Sequence, residues 1–195
     1  MTQLRIKPSL KASVLICITA YAGYAIPAAA AETQQQEVTG AAMTANLMPT
    51  QGNKARGQLT FTPSSGDKVQ VKVQLSQLPR AGEYGIHIHE IGDCSAADAK
   101  SAGGHFNPMS KNHGDRKALE RHAGDMGNIT ANASGEATAT FDIEGVTLDS
   151  GNAGIMGKSV VLHANADDLK GQPAGNSGAR IACGVIAGAP AKAPG

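Results

Sequence analysis

Apolar and polar residues alternate with period two through much of this chain. Val69, Val71, Val73 and Leu75 are interleaved with Gln70, Lys72 and Gln74, so an extended strand there has one apolar face and one wet face. Leu59 and Phe61 alternate with Gln58, Thr60 and Thr62 ahead of Pro63, Ser64, Ser65, Gly66 and Asp67. That order predicts a hairpin running into the Val69 strand. A second alternating run covers 137–143 after the turn residues of 132–135, and further strands are expected at 41–47, 85–89, 159–163 and 180–186. Beyond the N-terminal residues no long stretch keeps an amphipathic helical period, and no internal repeat of fixed period is visible. The pattern predicts an all-β sandwich or barrel.

Two segments break the alternation. Residues 90–128 are rich in glycine, charge and histidine, and run far longer than an ordinary connection in a compact domain. Residues 165–179 are similar but shorter.

The chain ends are read separately. Arg5, Lys7 and Lys11 precede an apolar stretch at 12–26, then Pro27 and a run of small residues at 28–31, the layout of a secretory signal peptide. A cut after Ala31 is expected. The apolar stretch is shorter than the roughly 20 residues of a membrane-spanning helix, and Ile16 before Cys17 is too large for the usual lipoprotein cleavage site. The processed chain is expected to form one domain at 32–188 with a flexible Ala/Pro/Gly-rich tail at 189–195.

Charge changes the picture little. Seventeen basic and 16 acidic groups, with three of the basic ones inside the signal, leave a slightly acidic domain with no basic footprint for nucleic acid. Cys94 and Cys183 remain after the signal is removed, in an oxidising compartment where two thiols usually pair. Two unpaired thiols are the alternative.

Candidate chemistry sits in the irregular segments and the strands beside them. All six histidines, His87, His89, His105, His113, His122 and His163, lie within 87–163. His87 and His89 are two apart in an expected strand, so both rings leave one face roughly 7 Å apart at their bases and can grip one metal. By itself such a pair is weak, since exposed histidine pairs on strands are common. His105, His113, His122 and Asp125 make three imidazoles and a carboxylate in one glycine-rich loop, a complete tetrahedral zinc set. The alternative is a polar loop whose histidines titrate in water.

Six separated stretches then carry a resemblance. Gly85-Ile-His-Ile-His-Glu, Gly104-His-Phe-Asn-Pro, Lys111-Asn-His-Gly, Arg121-His-Ala-Gly-Asp-Met-Gly-Asn, Val160-Val-Leu-His and Arg180-Ile-Ala-Cys-Gly-Val-Ile resemble the copper/zinc superoxide dismutases in order, identity and approximate spacing. The resemblance covers nearly the whole processed chain. It implies an eight-stranded Greek-key β-barrel, or flattened sandwich, an example that general surveys of sandwich folds already include.

It also implies roles. His87, His89, His105 and His163 would ligate copper, and His105, His113, His122 and Asp125 would ligate zinc, with His105 shared. Asp167 would link the copper ligand His87 to the zinc ligand His113, fixing ring orientation. His105 would carry a proton in turnover, and Arg180 would draw the superoxide anion. A Cys94–Cys183 bridge would hold the Arg180 strand to the neighbouring loop. One copper and one zinc per subunit are expected as cofactors, superoxide as substrate, and a periplasmic or secreted setting. A homodimer is one open subunit arrangement.

Departures matter too. The 165–179 segment is shorter than the second loop of many animal and plant members and lacks their paired glutamates, with Lys170 the nearest substitute cation. Gly92, Asp93 and Cys94 together with the short loop look more like a bacterial secreted form. The rival reading is a copper- and zinc-buffering protein without turnover, which would need neither Arg180 nor a shared histidine. A hydrolase with the same histidine pair would need a larger α/β chain.

Overall fold

A computed structural model describes residues 42–188; the expected signal peptide, its cleavage point and the 189–195 tail lie outside them. Eight strands follow in order: β1 Met43–Pro49, β2 Arg56–Ser64, β3 Lys68–Ser76, β4 Gly82–His89, β5 Asp125–Ala131, β6 Ala137–Ile143, β7 Ser159–His163 and β8 Arg180–Gly188. The one helical piece among the described residues is a single 3-10 turn at Lys100–Ala102. No helix there is long and apolar enough to cross a membrane.

Neighbours in the sheet run β5-β4-β7-β8-β1-β2-β3-β6, every pair antiparallel. The end strands β5 and β6 touch, so the sheet curls into a flattened barrel. The chain crosses between its two halves after β3, after β5 and after β6, the Greek-key device that places non-consecutive strands side by side.

The alternation read in the sequence sets the core. Val69, Val71, Val73 and Leu75 of β3 are buried while Gln70, Lys72 and Gln74 face solvent. Leu59, Phe61, Ile86, Ile129, Leu162 and Ile186 meet them inside the barrel. Burying one such side chain stabilises the fold by roughly 1.5–3 kcal/mol.

Strands β4 and β7 depart from this pattern in an instructive way. Ile86 and Ile88, and likewise Val160 and Leu162, point into the core, yet the residues between them are buried as well. Their outer face carries His87, His89 and His163, and it is covered by the two irregular segments. The loops therefore act as the wall of a site built on the outside of the barrel.

β5 was not evident in the alternation, which placed residues 90–128 outside any strand. It starts at Asp125, breaks step at Gly127 (φ 78°), and pairs with β4 across a register shift between Gly85 and His87. Only Ile129 and Ala131 are left to show a period of two.

Cys94 and Cys183 form a disulfide. It joins β8 to the 94–103 loop over a small apolar cluster of Ala99, Ala102 and Val161. With a sequence separation of 89 between the cysteines, a chain-entropy treatment assigns the bond about 4 to 5 kcal/mol. A Cys94→Ser, Cys183→Ser double variant is expected to show a Tm lower by roughly 10 °C or more in a thermal melt. A shift under 3 °C would refute that assignment.

Candidate metal centre

The strands and loops bring every candidate ligand to one place. His87 and His89 leave the outer face of β4, and β7 carries His163 beside them through the Ile86–Leu162 and His87–Val161 register. The long loop returns as an extra fringe strand. Phe106 N donates to Ile88 O at 2.8 Å, Ile88 N to Gly124 O at 2.9 Å, and Gly124 N to Phe106 O at 2.9 Å. This places His105 opposite His89 in an isolated bridge and brings His122 and Asp125 to the same end of β4. The rings of His87 and His105 stack with centroids 3.9 Å apart.

Hydrogen bonds decide which nitrogen each ring has free. His87 Nε2 is held by Asp167 Oδ2 at 2.7 Å, His89 Nδ1 by Gly103 O at 3.0 Å, and His163 Nδ1 by Gly178 O at 3.3 Å. By elimination His87 presents Nδ1, and His89 and His163 present Nε2, those two lying 3.4 Å from each other. His105 Nδ1 is 2.9 Å from Asp125 Oδ1, leaving Nε2 for the first group. One donor atom from each of these four residues fits within 4.8 Å of the others.

Asp125 organises the second group. Its Oδ1 lies 2.9 Å from His105 Nδ1, 3.0 Å from His113 Nδ1 and 3.4 Å from His122 Nδ1. Its Oδ2 accepts from the backbone amides of Gly114 and His122. These four residues also supply donors within 4.8 Å of one another. At 3.4 Å the His122 contact lacks hydrogen-bond geometry, and His122 Nδ1, His87 Nδ1 and His105 Nε2 are buried without a partner. A buried unpaired nitrogen is costly. Three of them, one in each donor set and one on the shared residue, fit metal ions and explain their own burial.

Asp167 links the two groups. Its Oδ2 meets His87 Nε2 at 2.7 Å and its Oδ1 meets His113 Nε2 at 2.9 Å. The 165–179 loop supplies it and packs directly onto it: a side chain at Gly175, where φ is 63°, would collide with Asp167 Oδ1 and His113 Nε2. Only glycine fits there without displacing the bridge.

Arg180 stands at the rim. Its guanidinium donates to Ala99 O and Gly103 O, both at 2.7 Å, so the Gly103 carbonyl serves Arg180 and the His89 ring together. Its hydrogen-bond partners are carbonyls rather than carboxylates. Arg180 opens onto a cleft of about 390 Å³ that Thr50, Asp98, Lys100 and Gly178 also line. Lys170 is not among its walls.

Sequence reading missed two carboxamides and the carbonyls of Gly103 and Gly178. Asn128 accepts from Asp167 N at 2.7 Å and donates to Asp167 O at 2.8 Å, and Gln172 makes the same two-point pair with His113. Asn128 closes one of the quoted motifs, which is a signal. Gln172 and the two carbonyls carry none.

Burial holds the four histidines of the first group below their ordinary value near 6.5, with His89 at about 2, His163 at about 3 and His105 at about 4. They are neutral at pH 7 and ready to ligate. Burial pulls His113 down as well, but Asp125 and Asp167 outweigh it and raise it to about 9. Burial opposes ionisation of Asp125 and Asp167, yet their histidine partners keep both carboxyls below the ordinary range.

The signs give a prediction for the metal-free chain. Between pH 6.5 and the depressed histidine values the unfolded state binds protons that the fold refuses, so stability falls as pH drops through that window. The Asp125 and Asp167 contributions are present above about 3.8 and are lost below it. His113 contributes fully below 6.5 and loses that contribution as pH rises through about 9. Tm measured against pH is therefore expected to peak near 6.5 and to fall more steeply on the acid side. A Tm that rises from pH 6.5 to pH 4 would contradict the assignment.

Comparison with known proteins agrees with this geometry. The family model described as copper/zinc superoxide dismutase (SODC) matches residues 55–186. The extracellular superoxide dismutase [Cu-Zn] of Drosophila melanogaster is 38% identical over 164 residues, covering 80% of this chain and 89% of that protein. Superoxide dismutase [Cu-Zn] 1 of Aquifex aeolicus is 40% identical over 146 residues, covering 73% and 85%. Among solved structures, that of the clock protein EA4 superimposes with a TM-score of 0.69 at 39% identity, covering 77% of this chain and 96% of that one. With a family model spanning most of the barrel and relatives near 40% identity matched over 85% or more of their own length, the chain belongs to the copper/zinc superoxide dismutase family.

Proposed function

We propose that this chain dismutates superoxide at copper held by His87, His89, His105 and His163, beside zinc held by His105, His113, His122 and Asp125. Two superoxide ions and two protons give one dioxygen and one hydrogen peroxide. The observation that carries the reading is His105, whose Nδ1 belongs with Asp125 and whose Nε2 belongs with the other histidines. Copper supplies one-electron chemistry by cycling between two oxidation states, while zinc keeps one oxidation state and serves structure.

The chain's own groups do the rest. An imidazole serves two cations only when both nitrogens are deprotonated, a loss of the second proton that the two bound cations would impose; burial already keeps His105 from carrying an extra one at pH 7. His105 Nε2, with no other partner, is where a proton would be held and handed on. Arg180 keeps a positive charge beside the cleft and draws the anion, while Asp167, seated by Asn128, keeps His87 and His113 in fixed orientation. Electrostatic steering in this enzyme family is a standard example of such guidance.

A periplasmic or secreted setting is the reading we adopt for location, supported by the Cys94–Cys183 bond and by the extracellular relative. The buffering alternative asks for neither a shared imidazole nor Arg180. The test is to load the purified chain with copper and zinc and follow a pulse of superoxide. Catalytic consumption far above that of the same amount of free copper, with one peroxide formed per two superoxide ions, is expected. Uptake of both metals without such consumption would leave the buffering reading standing.

A further inference from the structure

We infer that Gln172 is a positioning residue for the metal centre, the clamp by which the 165–179 loop fixes His113 of the other loop. The inference rests on the zinc reading proposed above. Gln172 Oε1 accepts from His113 N at 2.9 Å, and Gln172 Nε2 donates to His113 O at 2.9 Å and to Lys170 O at 3.1 Å. A carboxamide paired with both the N–H and C=O of one residue imitates a strand neighbour, so the backbone of His113 is held in one orientation. Asp167 Oδ1 holds the far ring nitrogen of the same residue at 2.9 Å. Backbone and Nε2 are thus both fixed by the 165–179 loop, and Nδ1 is left aimed at Asp125 Oδ1, 3.0 Å away.

No other member of the zinc set is held in this way among the described residues. His122 and Asp125 are tied to each other and to Gly114, and His105 is paired with the edge of β4. His113 sits in a stretch with no strand partner, where its own loop gives it no ladder. The same short loop supplies the Gly178 carbonyl that orients His163 and the carboxylate that orients His87. Gln172 therefore joins the zinc side to a loop that already orients the copper side. It is an exposed residue, but its carboxamide is turned inward onto His113.

The test uses the full chain loaded with both metals and follows zinc release to an excess of chelator. Gln172→Ala removes both contacts and is expected to release zinc about ten-fold faster, the lower end for loss of a group that supports a ligand. Gln172→Glu keeps length and the acceptor but puts a carboxylate against His113 O, and is expected to accelerate release at least several-fold. Asn176→Ala is the control for general loosening, because Asn176 ties the loop only to itself through Asp168. It is expected to stay within two-fold of the native chain. Cobalt(II) placed in the zinc set adds a geometric readout: its visible bands should shift in both Gln172 variants and not in Asn176→Ala. Release within two-fold of native in both Gln172 variants, or equal acceleration in Asn176→Ala, would overturn the role. A native chain that takes up no zinc would overturn the zinc assignment and this role with it.

Discussion

His89→Ala is expected to lose bound copper and to lower superoxide consumption by more than about a hundred-fold, while zinc stays near one per chain. The lower bound follows because removing even a group that merely supports a ligand costs 10–100-fold. His89 turns Nε2 toward the other members of the proposed copper set and spends Nδ1 on Gly103 O. Neither atom touches His113, His122 or Asp125. Arg180 continues to hold the Gly103 carbonyl, so the loop that covers the site keeps its anchor. The lost imidazole is buried and titrates far below 6.5 because of that burial, so its removal also relieves an acid-sensitive group. Elemental analysis of the purified variant, alongside the consumption assay, reads both metals. Equal loss of zinc and copper would mean that the two donor sets are not separable at His89.

Asp125→Ala is expected to do more damage. Asp125 accepts the Gly114 and His122 amides on one oxygen and gathers His105, His113 and His122 around the other. Truncation leaves buried donors without partners, at about 1–3 kcal/mol each. It also removes the one carboxylate that touches all three imidazoles of the proposed zinc set. The expected result is loss of zinc, weakened copper through misplacement of His105, and a Tm lower by roughly 10 °C. Asp125→Asn should recover part of the stability, since its carbonyl oxygen can still accept, but not the zinc. A variant retaining one zinc per chain, or melting within 3 °C of native, would show that Asp125 is not the hub.

Much of this was legible in the chain before folding. β3 can be read directly because four apolar residues alternate with polar ones over 69–75, and a half-buried strand leaves that mark. The histidines were legible for a different reason: they are few, and they cluster. What could not be read were pairings that depend on distance in sequence. Gln172 meets His113 across 59 residues and Asn128 meets Asp167 across 39; Gln172, an amide in a polar loop, has no pattern of its own, and the motif that Asn128 closes does not name its partner. The same holds for the carbonyls of Gly103 and Gly178, which choose the free nitrogens of His89 and His163. Asp167 became visible only through the family resemblance, since as a residue it looks like any acid in a solvated turn. β5 was hidden because its first residue is itself a proposed ligand and its geometry serves the site before the sheet.

The central claim is that one imidazole, His105, belongs to both metal positions. Copper(II) binds nitrogen sites at least as tightly as zinc, so excess copper should fill both donor sets, and electron paramagnetic resonance then reads the bridge directly. Two copper(II) ions joined through His105 should couple, and the ordinary resonance should fall far below two spins per chain. It should return to full intensity in His105→Ala to the extent that copper still binds. Two independent, full-strength copper signals in the native chain would contradict the shared histidine and the account built on it.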